Sequence, residues 1–230
     1  MYNSDTFLKI SVVIPALNEE SHLEKTLQSV TKQEGDYEFF VVDGGSSDNT
    51  VTIAKRYTTV INSLRGRAIQ MNTGAKACSG DILLFLHADT ILPDCAFREI
   101  RKRMKDVSVA GGSFYIAFDA DTFILKGVSF VTRFNFRLFH FGDQGIFVRR
   151  TVFQTLQGYK EMPIMEDYDF YKRLGKQGKV ILIRMPVISS ARRFVRKGVI
   201  RQLFMNKLVV LAYWAGVDIQ TIKRFYDDTR

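Results

Sequence analysis

His87 and Asp89 stand two residues apart, directly after an apolar run over residues 82–86. Such a run is typical of a strand buried on both faces of a parallel sheet. Because side chains at i and i+2 of a strand point to the same side, the spacing predicts that His87 and Asp89 share one site. Ligands of open α/β sheets bind at the carboxyl ends of strands. The pair therefore indicates a divalent-cation site shared with phosphate groups, unless Asp89 and Thr90 only cap the turn before Pro93.

A second group of carboxylates, Glu166, Asp167 and Asp169, follows Pro163 and precedes a helical pattern. Acids at a helix N-terminus complement the helix dipole, which is a purely structural explanation. A reaction at a hydroxyl group, however, needs a base within hydrogen-bond reach of the proton. On these residues alone both interpretations stay open.

Asp43 ends another apolar stretch and is followed by Gly44 and Gly45. Glycines there permit close approach of the backbone to a ligand, although an ordinary tight turn explains them as well. Arg67 falls in the first turn of a predicted helix, where the helix dipole does not favour a cation. This placement indicates either an anionic ligand or an ion pair at the surface.

These residues need a scaffold of alternating strands and helices. Apolar, β-branched runs predict strands over residues 10–14, 38–42, 60–62, 82–86, 110–118, 146–148 and 180–183. Pro15 is expected to end the first of them. Helical patterns lie between the early strands, and alternation of this kind indicates an α/β fold with a parallel or mostly parallel sheet flanked by helices.

Composition sets the broad class. The chain has 230 residues, 46% of them hydrophobic, and a net charge of +9, so we expect one compact domain with a polyanionic partner. Cys78 and Cys95 have neither metal-site nor disulfide-rich spacing, which indicates a reducing compartment. No charged segment followed by an apolar core opens the chain, and we therefore predict a cytoplasmic protein.

Two further segments lack acidic residues. Residues 123–141 contain six Phe with Lys126, Arg133 and Arg137. We favour core packing for the residues of this aromatic segment over an acceptor site or a membrane interface.

Residues 184–217 are basic and include a predicted helix over 199–217. Arg192 and Arg193 are predicted to fold over a diphosphate, with a solvated basic face as the alternative. Peripheral contact with the inner face of a membrane and a homodimer both stay open.

Several segments resemble the nucleotide-binding half of family 2 glycosyltransferases with the GT-A fold, namely residues 11–20, 41–50 and the strand that leads to Asp89. Others resemble, in order and spacing, a compact bacterial subfamily often labelled arsenosugar-biosynthesis glycosyltransferases: residues 65–68, 86–90, 142–145, 165–167 and 189–193. The resemblance implies one GT-A domain over residues 1–230. Its nucleotide-sugar-binding half would span 1–107, its acceptor and catalytic half 108–183 and its basic C-terminal part 184–230.

The resemblance also implies a role for each matching residue. A UDP- or GDP-linked sugar would be bound by Pro15, Ala16, Glu19, Asp43, Arg67, Arg192 and Arg193. Asp89 would bind Mn²⁺ or Mg²⁺, and His87 replaces the first Asp of the family's Asp-x-Asp motif. An imidazole ligand favours manganese. Asp167 would be the catalytic base, with Glu166 or Asp169 as support, and Asp143 with Gln144 would contact the acceptor.

We therefore predict a metal-dependent inverting glycosyltransferase that acts on an acceptor hydroxyl, in arsenosugar or other small-molecule or lipid glycoside biosynthesis. A nucleotidyltransferase is one alternative, although the early Gly-rich segment ending in Arg is missing. A non-catalytic protein that binds nucleotide sugars or membrane surfaces is another. Nucleic-acid binding rests on charge alone and is not predicted. A dinucleotide oxidoreductase is disfavoured because no Gly-x-Gly-x-x-Gly follows the first strand.

Overall fold

The computed structural model describes residues 8–120, 122–133 and 142–226. Within these ranges the strands are β1 (Ile10–Ala16), β2 (Tyr37–Asp43), β3 (Val60–Asn62), β4 (Ile82–Phe85), β5 (Thr90–Ile91), β6 (Val109–Phe118), β7 (Ile146–Arg149) and β8 (Lys179–Ser189). The helices are α1 (Leu23–Thr31), α2 (Thr50–Lys55), α3 (Arg67–Ala77), α4 (Ala96–Met104), α5 (Phe123–Thr132), α6 (Arg150–Thr155), α7 (Glu166–Leu174), α8 (Arg192–Lys197), α9 (Val199–Trp214) and α10 (Ile219–Phe225), with a 3-10 helix over Gly142–Gln144.

The described strands form one mixed sheet in the order β3-β2-β1-β4-β7-β6-β8-β5. β1, β2, β3 and β4 are mutually parallel where they pair, and β6 pairs parallel with β8. β7 lies antiparallel between β4 and β6, while β5 is antiparallel to β8. The predicted α/β class with a mostly parallel sheet is therefore confirmed. The carboxyl ends of β1, β2 and β4 consequently lie at the same edge of the sheet.

Pro15 does not end β1, contrary to expectation. The strand continues to Ala16, and Pro15 pairs with Val42 of β2. On its other side β1 pairs with β4 only as far as Val13, opposite Phe85. Pro15 is therefore tolerated because the strand has a strand neighbour on only one side at that point.

Apolar side chains cover both faces of the sheet. One core cluster includes Ile14, Leu84 and Phe114, and the cluster on the other side of β1 includes Val13 and Phe85. α3 packs closely against β1 and β2 at Gly74, where a Cβ atom would lie 2.5 Å from Val13 Cγ1. A glycine is therefore required at this contact, and it allows α3 to approach the sheet closely.

α5 is more exposed than predicted. Leu125 is buried, but the side chains of Phe123 and Phe130 are 90% and 57% exposed. Core packing was therefore the wrong expectation for these two residues. The remainder of that aromatic segment, residues 134–141 with Arg137, lies outside the described residues.

β8 is also longer than the predicted strand over residues 180–183. It pairs with β6 through to Ser189, so the predicted boundary at residue 184 falls inside a strand.

The helices α8, α9 and α10 follow β8. Met165, Val209, Val210 and Ile222 form a separate small apolar cluster there. No described helix has both the length and the apolar character needed to cross a bilayer.

Candidate functional site

Gln70 joins the carboxyl ends of β1 and β2. Its buried side-chain amide donates hydrogen bonds to the carbonyl oxygens of Ala16 (2.8 Å) and Val42 (2.9 Å). Sequence reasoning missed this residue. The signal was its spacing, because Arg67, Gln70 and Gly74 fall on one face of α3, the face that packs on the sheet. Gln70 therefore positions the rim of the cleft that lies at this edge.

Asp43, predicted to bind the nucleobase, is engaged by its own loop. Its carboxylate accepts hydrogen bonds from the backbone N–H groups of Gly45 (2.9 Å) and Ser46 (3.0 Å), and the Ser46 hydroxyl donates another. The buried carboxylate thus orders the turn after β2. A base contact would have to share an oxygen that already accepts two hydrogen bonds.

His87 and Asp89 reach the cleft by a route other than the predicted one. β4 ends at Phe85, and the backbone N–H of Thr90 donates to the His87 carbonyl oxygen, so residues 87–90 form a turn. The alternation that holds within a strand therefore does not apply to this pair. Both side chains line the same cleft with Pro15 and Ala16, but they contact different partners.

The imidazole of His87 connects two carboxylates. Its Nδ1 lies 2.7 Å from Asp143 Oδ1, and its Nε2 lies 3.8 Å from Asp167 Oδ2. In the neutral ring, an Nδ1–H donated to Asp143 leaves a lone pair on Nε2. Nε2 is buried and forms no hydrogen bond with the described part of the chain. A buried nitrogen of this kind is free to bind a cation or a substrate group.

Arg67 holds the carboxylates at the start of α7. Its Nε lies 3.0 Å from Glu166 Oε1, and its Nη1 lies 3.0 Å from Asp167 Oδ2. The two carboxylates raise the pKa of the guanidinium even though burial opposes its charged form. Arg67 therefore forms an ion pair, as one of the two interpretations proposed, but its partners are buried carboxylates and its own side chain is only partly exposed.

Asp167, at the start of α7, is a buried carboxyl group whose pKa is raised. Burial and the neighbouring Glu166 charge raise its pKa to about 6, although Arg67 and His87 oppose the shift. A carboxylate with a pKa near neutrality is suited to accept a proton in catalysis. Because Asp167 Oδ2 also lies 3.8 Å from His87 Nε2, the predicted base is next to one of the two predicted cation ligands.

Arg192 closes the opposite side of the cleft. Its guanidinium binds the Glu19 carboxylate through two hydrogen bonds of 2.7 and 2.6 Å, and its Nη2 lies 3.1 Å from Asp89 Oδ2. Burial disfavours the charge of Arg192, but hydrogen bonding to Glu19 and the Asp89 charge outweigh burial and raise the pKa. Glu19, Asp89 and Arg192, predicted for donor and cation, are thus brought together as one ion-pair network.

Two further polar residues support this network: His22, which carried no sequence signal, and Ser190, which belongs to the segment 189–193 that resembles the subfamily. His22, just before α1, lies with Nδ1 3.2 Å from Arg192 Nη1 and Nε2 3.3 Å from the Ser190 hydroxyl. Residues 22 and 190 are far apart in the chain, and their contact depends on the meeting of α1 with the end of β8. The Ser190 backbone N–H also donates to the Asp89 carbonyl oxygen, which fixes the turn that carries Asp89.

The remaining predicted residues lie in different surroundings. Asp143 joins the cluster through His87, whereas Gln144 is buried beside Ser113, whose hydroxyl lies 3.5 Å from Gln144 Oε1. Asp169 pairs with Lys160 (2.9 Å) and Arg173 (2.6 Å), contacts that lower its pKa against the effect of burial. Its role in the structure is to tie α7 to the preceding turn. The side chain of Arg193 lies outside the described residues.

The cleft offers suitable donors for a divalent cation. A cation that takes most of its ligands from a diphosphate and water needs only one or two protein groups. The Asp89 carboxylate and His87 Nε2, which forms no hydrogen bond with the described residues, are such donors on the lining of one cleft. The described residues contain no ready-made cluster of three acidic, His or Cys side chains that could hold a metal. A cation here would therefore depend on ligands from a bound phosphate group.

Comparison with known proteins identifies the family. The model named "Glycosyl transferase family 2" matches residues 11–199, which include the cleft, the base candidate and Arg192. The chain belongs to glycosyl transferase family 2. This result confirms the family 2 and GT-A predictions that the resemblance of residues 11–20 and 41–50 implied. The chain is thus a family 2 enzyme. The family match does not distinguish the arsenosugar subfamily.

Individual relatives extend this finding. The chain is 38% identical over 91 residues to "Glycosyltransferase AglE" of Haloferax volcanii, a match that spans 35% of this chain and 30% of the relative. It shares a fold with Staphylococcus aureus TarS 1-349 in complex with UDP-GlcNAc (TM-score 0.66, 18% identity, 80% of this chain and 58% of that chain). It likewise resembles the mannosyltransferase PcManGT of Pyrobaculum calidifontis in complex with GDP-Man and Mn²⁺ (TM-score 0.61, 21% identity, 78% and 56%). The chain thus spans less than two thirds of each of these proteins.

Proposed function

We propose that this family 2 enzyme transfers a sugar from a UDP- or GDP-linked donor to an acceptor hydroxyl, with inversion at the anomeric carbon. The observation that carries the proposal is the buried Asp167 carboxylate. Its pKa is raised to about 6, and it lies 3.8 Å from His87 at the edge of the sheet that also presents Asp89. Two proteins that are similar to this chain in fold, one in complex with UDP-GlcNAc and the other with GDP-Man, support the donor class.

In this mechanism Asp167 accepts the proton of the acceptor hydroxyl. The acceptor oxygen forms a bond to the anomeric carbon while the bond from that carbon to the diphosphate oxygen breaks, and the nucleoside diphosphate leaves with the bonding electrons. Arg67 holds the Asp167 carboxylate in place through its 3.0 Å contact. Arg192, whose Nη2 lies 3.1 Å from Asp89 Oδ2, would exchange this ion pair for one with the diphosphate and would stabilise the negative charge that develops there.

Asp89 and His87 would hold a divalent cation, Mn²⁺ or Mg²⁺, and that cation supplies Lewis-acid stabilisation of the leaving diphosphate. Mn²⁺ in the PcManGT complex supports the choice of metal. Release of the Asp89 carboxylate by Arg192 is a condition of this arrangement, because the two groups are 3.1 Å apart.

The acceptor is the finer part of the proposal. Assignment to arsenosugar or other small-molecule or lipid glycoside biosynthesis is supported only by the subfamily resemblance of segments such as residues 65–68 and 189–193. Asp143 and Gln144 are the proposed acceptor contacts. Asp143 is favoured of the two, because its side chain is 38% exposed and faces His87, whereas Gln144 is buried.

Titration calorimetry with UDP and GDP, with and without Mn²⁺, tests the donor and metal roles. We expect Mn²⁺-dependent binding of one nucleotide, weakened about tenfold or more in Asp89→Asn. Asp94→Asn is the matched control, because Asp94 is exposed in the same segment. Equal binding by wild type and Asp89→Asn would remove Asp89 as a ligand.

Donor turnover tests the base. Asp167→Asn should lower nucleoside diphosphate release by about 10²- to 10⁴-fold while donor affinity changes little. Asp169→Asn is the control, because Asp169 pairs with Lys160 and Arg173 and its loss should reduce stability without a comparable loss of turnover. Donor binding by the wild type without any turnover would instead favour the non-catalytic alternative.

A further inference from the structure

α9 is a surface helix that exposes an apolar stripe, while its buried side chains are Val209, Val210 and the polar Gln202. Its side chains that face the protein include Gln202, 5% exposed, whose amide donates a 2.8 Å hydrogen bond to Asn206. Its outward side chains are apolar: Ile200, Phe204, Leu208, Leu211 and Trp214 are between 47% and 73% exposed. A surface helix normally buries its apolar stripe and exposes its polar one.

The outward residues form one continuous stripe. Ile200, Phe204, Leu208 and Leu211 follow at i, i+4, i+8 and i+11, spacings that keep them on a single face of a helix. We call Ile200, Phe204, Leu208, Leu211 and Trp214 the α9 surface. Of the fifteen large apolar side chains exposed in the described part of the chain, twelve lie in α5 or between Val195 and Phe225. Exposed apolar residues are thus concentrated in these segments.

Positive charge accompanies the α9 surface. Arg201 and Lys207 are exposed on the same side of α9, and residues 184–217 contain no Asp or Glu. The apolar side chains are complementary to the apolar interior of a lipid layer, and the cations, with no acid beside them, are complementary to an anionic lipid surface.

We propose that the α9 surface docks on an anionic lipid bilayer. The apolar side chains would enter the region between headgroups and acyl chains, with Trp214 at the level where indole rings are favoured. Arg201 and Lys207 have long side chains that can extend to lipid phosphates. At 16 residues, roughly 24 Å, α9 is shorter than a bilayer core of about 30 Å, so it would lie in the plane of the surface.

A second copy of the chain is a less suitable occupant. A two-fold symmetric contact through the α9 surface would place the same residues of both copies against each other. Lys207 lies at the middle of α9 on the exposed side, so an antiparallel pair crossing at the helix centre would oppose two like charges. The segment supplies no acid to compensate for them.

Docking in this orientation would bring the candidate site close to the membrane. The inward face of α9 packs Val209 and Val210 against Met165, which directly precedes Glu166 and Asp167. The bilayer would therefore lie about one helix diameter, roughly 10 Å, from the start of α7. The docking itself does not depend on sugar transfer.

Sedimentation of the full chain with vesicles tests the proposal. Wild type should bind vesicles of phosphatidylcholine with phosphatidylglycerol and bind pure phosphatidylcholine more weakly. F204S/L211S should reduce partitioning by about tenfold or more. L64S/V107S is the matched control, since these side chains are exposed but lie outside the α9 surface, and it should bind like wild type.

R201Q/K207Q should weaken binding to the anionic vesicles by about fivefold for each cation removed and should reduce the salt dependence. Circular dichroism melting curves establish that all variants are folded. Failure of wild type to bind either vesicle, or equal binding by F204S/L211S, would overturn the proposal. A concentration-dependent dimer that F204S/L211S abolishes, without vesicle binding, would assign the face to a second copy and also overturn it.

Discussion

Asp167 keeps its proton to a higher pH than an ordinary carboxyl group, because it is buried beside Glu166. Its pKa is about 6, and a base acts only when ionised, so kcat/KM should fall as the pH drops through 6. Arg67 lowers this pKa. Arg67→Gln should therefore move the acidic limb of the pH–rate profile upward, whereas Arg65→Gln, exposed two residues away, should leave it in place. An unshifted limb in Arg67→Gln would contradict the electrostatic role of this pair.

Glu19 and Arg192 provide a second test at the residue scale. Loss of the bidentate pair in Glu19→Gln should lower the free energy of unfolding by about 1–2 kcal/mol, a value reduced because Arg192 is partly exposed. Urea denaturation measures this change, with Glu34→Gln, at an exposed position, as the control. A loss equal to that of the control would show that the pair contributes nothing to stability.

The helices position these residues by packing closely on the sheet, and α3 is the clearest case. A Cβ at Gly74 would lie 2.5 Å from Val13 Cγ1 and 2.7 Å from Val42 Cγ2, so Gly74→Ala should force α3 away from the sheet. We expect a loss of about 1–3 kcal/mol in urea unfolding, with reduced donor affinity because Arg67 and Gln70 move with the helix. Gly127→Ala in α5 is the control. Its Cβ meets open space, and alanine should stabilise that helix by up to about 1 kcal/mol.

At the scale of the whole molecule, the C-terminal helices are held less firmly than the sheet. Their own core is the small cluster of Met165, Val209, Val210 and Ile222, while much of α9 is exposed. Hydrogen exchange should therefore show faster opening for the amides of α9 and α10 than for those of β1 and β4. Equal protection across these elements would mean that the helices and the sheet open as one unit.

The strand-end motifs were informative because they combine local chemistry with a topology that parallel sheets share. Asp43 ends β2, Pro15 is the penultimate residue of β1, and Asp89 lies in the turn after β4, so all three lie at one edge of the sheet. The fold class followed from alternation alone. The position of Asp167 near His87 could be expected only through the family resemblance, since 80 residues separate them in the chain.

The sequence by itself determined the α/β class, the family and the residue types at the sheet edge, because apolar periodicity and short motifs are local properties. Tertiary structure alone decided the partners of those residues. It directed Arg67 to Glu166 and Asp167, Arg192 to Glu19 and Asp89, and it left His87 Nε2 without a hydrogen bond among the described residues. Such pairings depend on how distant elements pack. The outward orientation of the apolar stripe of α9 depends on packing as well, because periodicity predicts the helix but cannot assign its apolar face to the core or the surface.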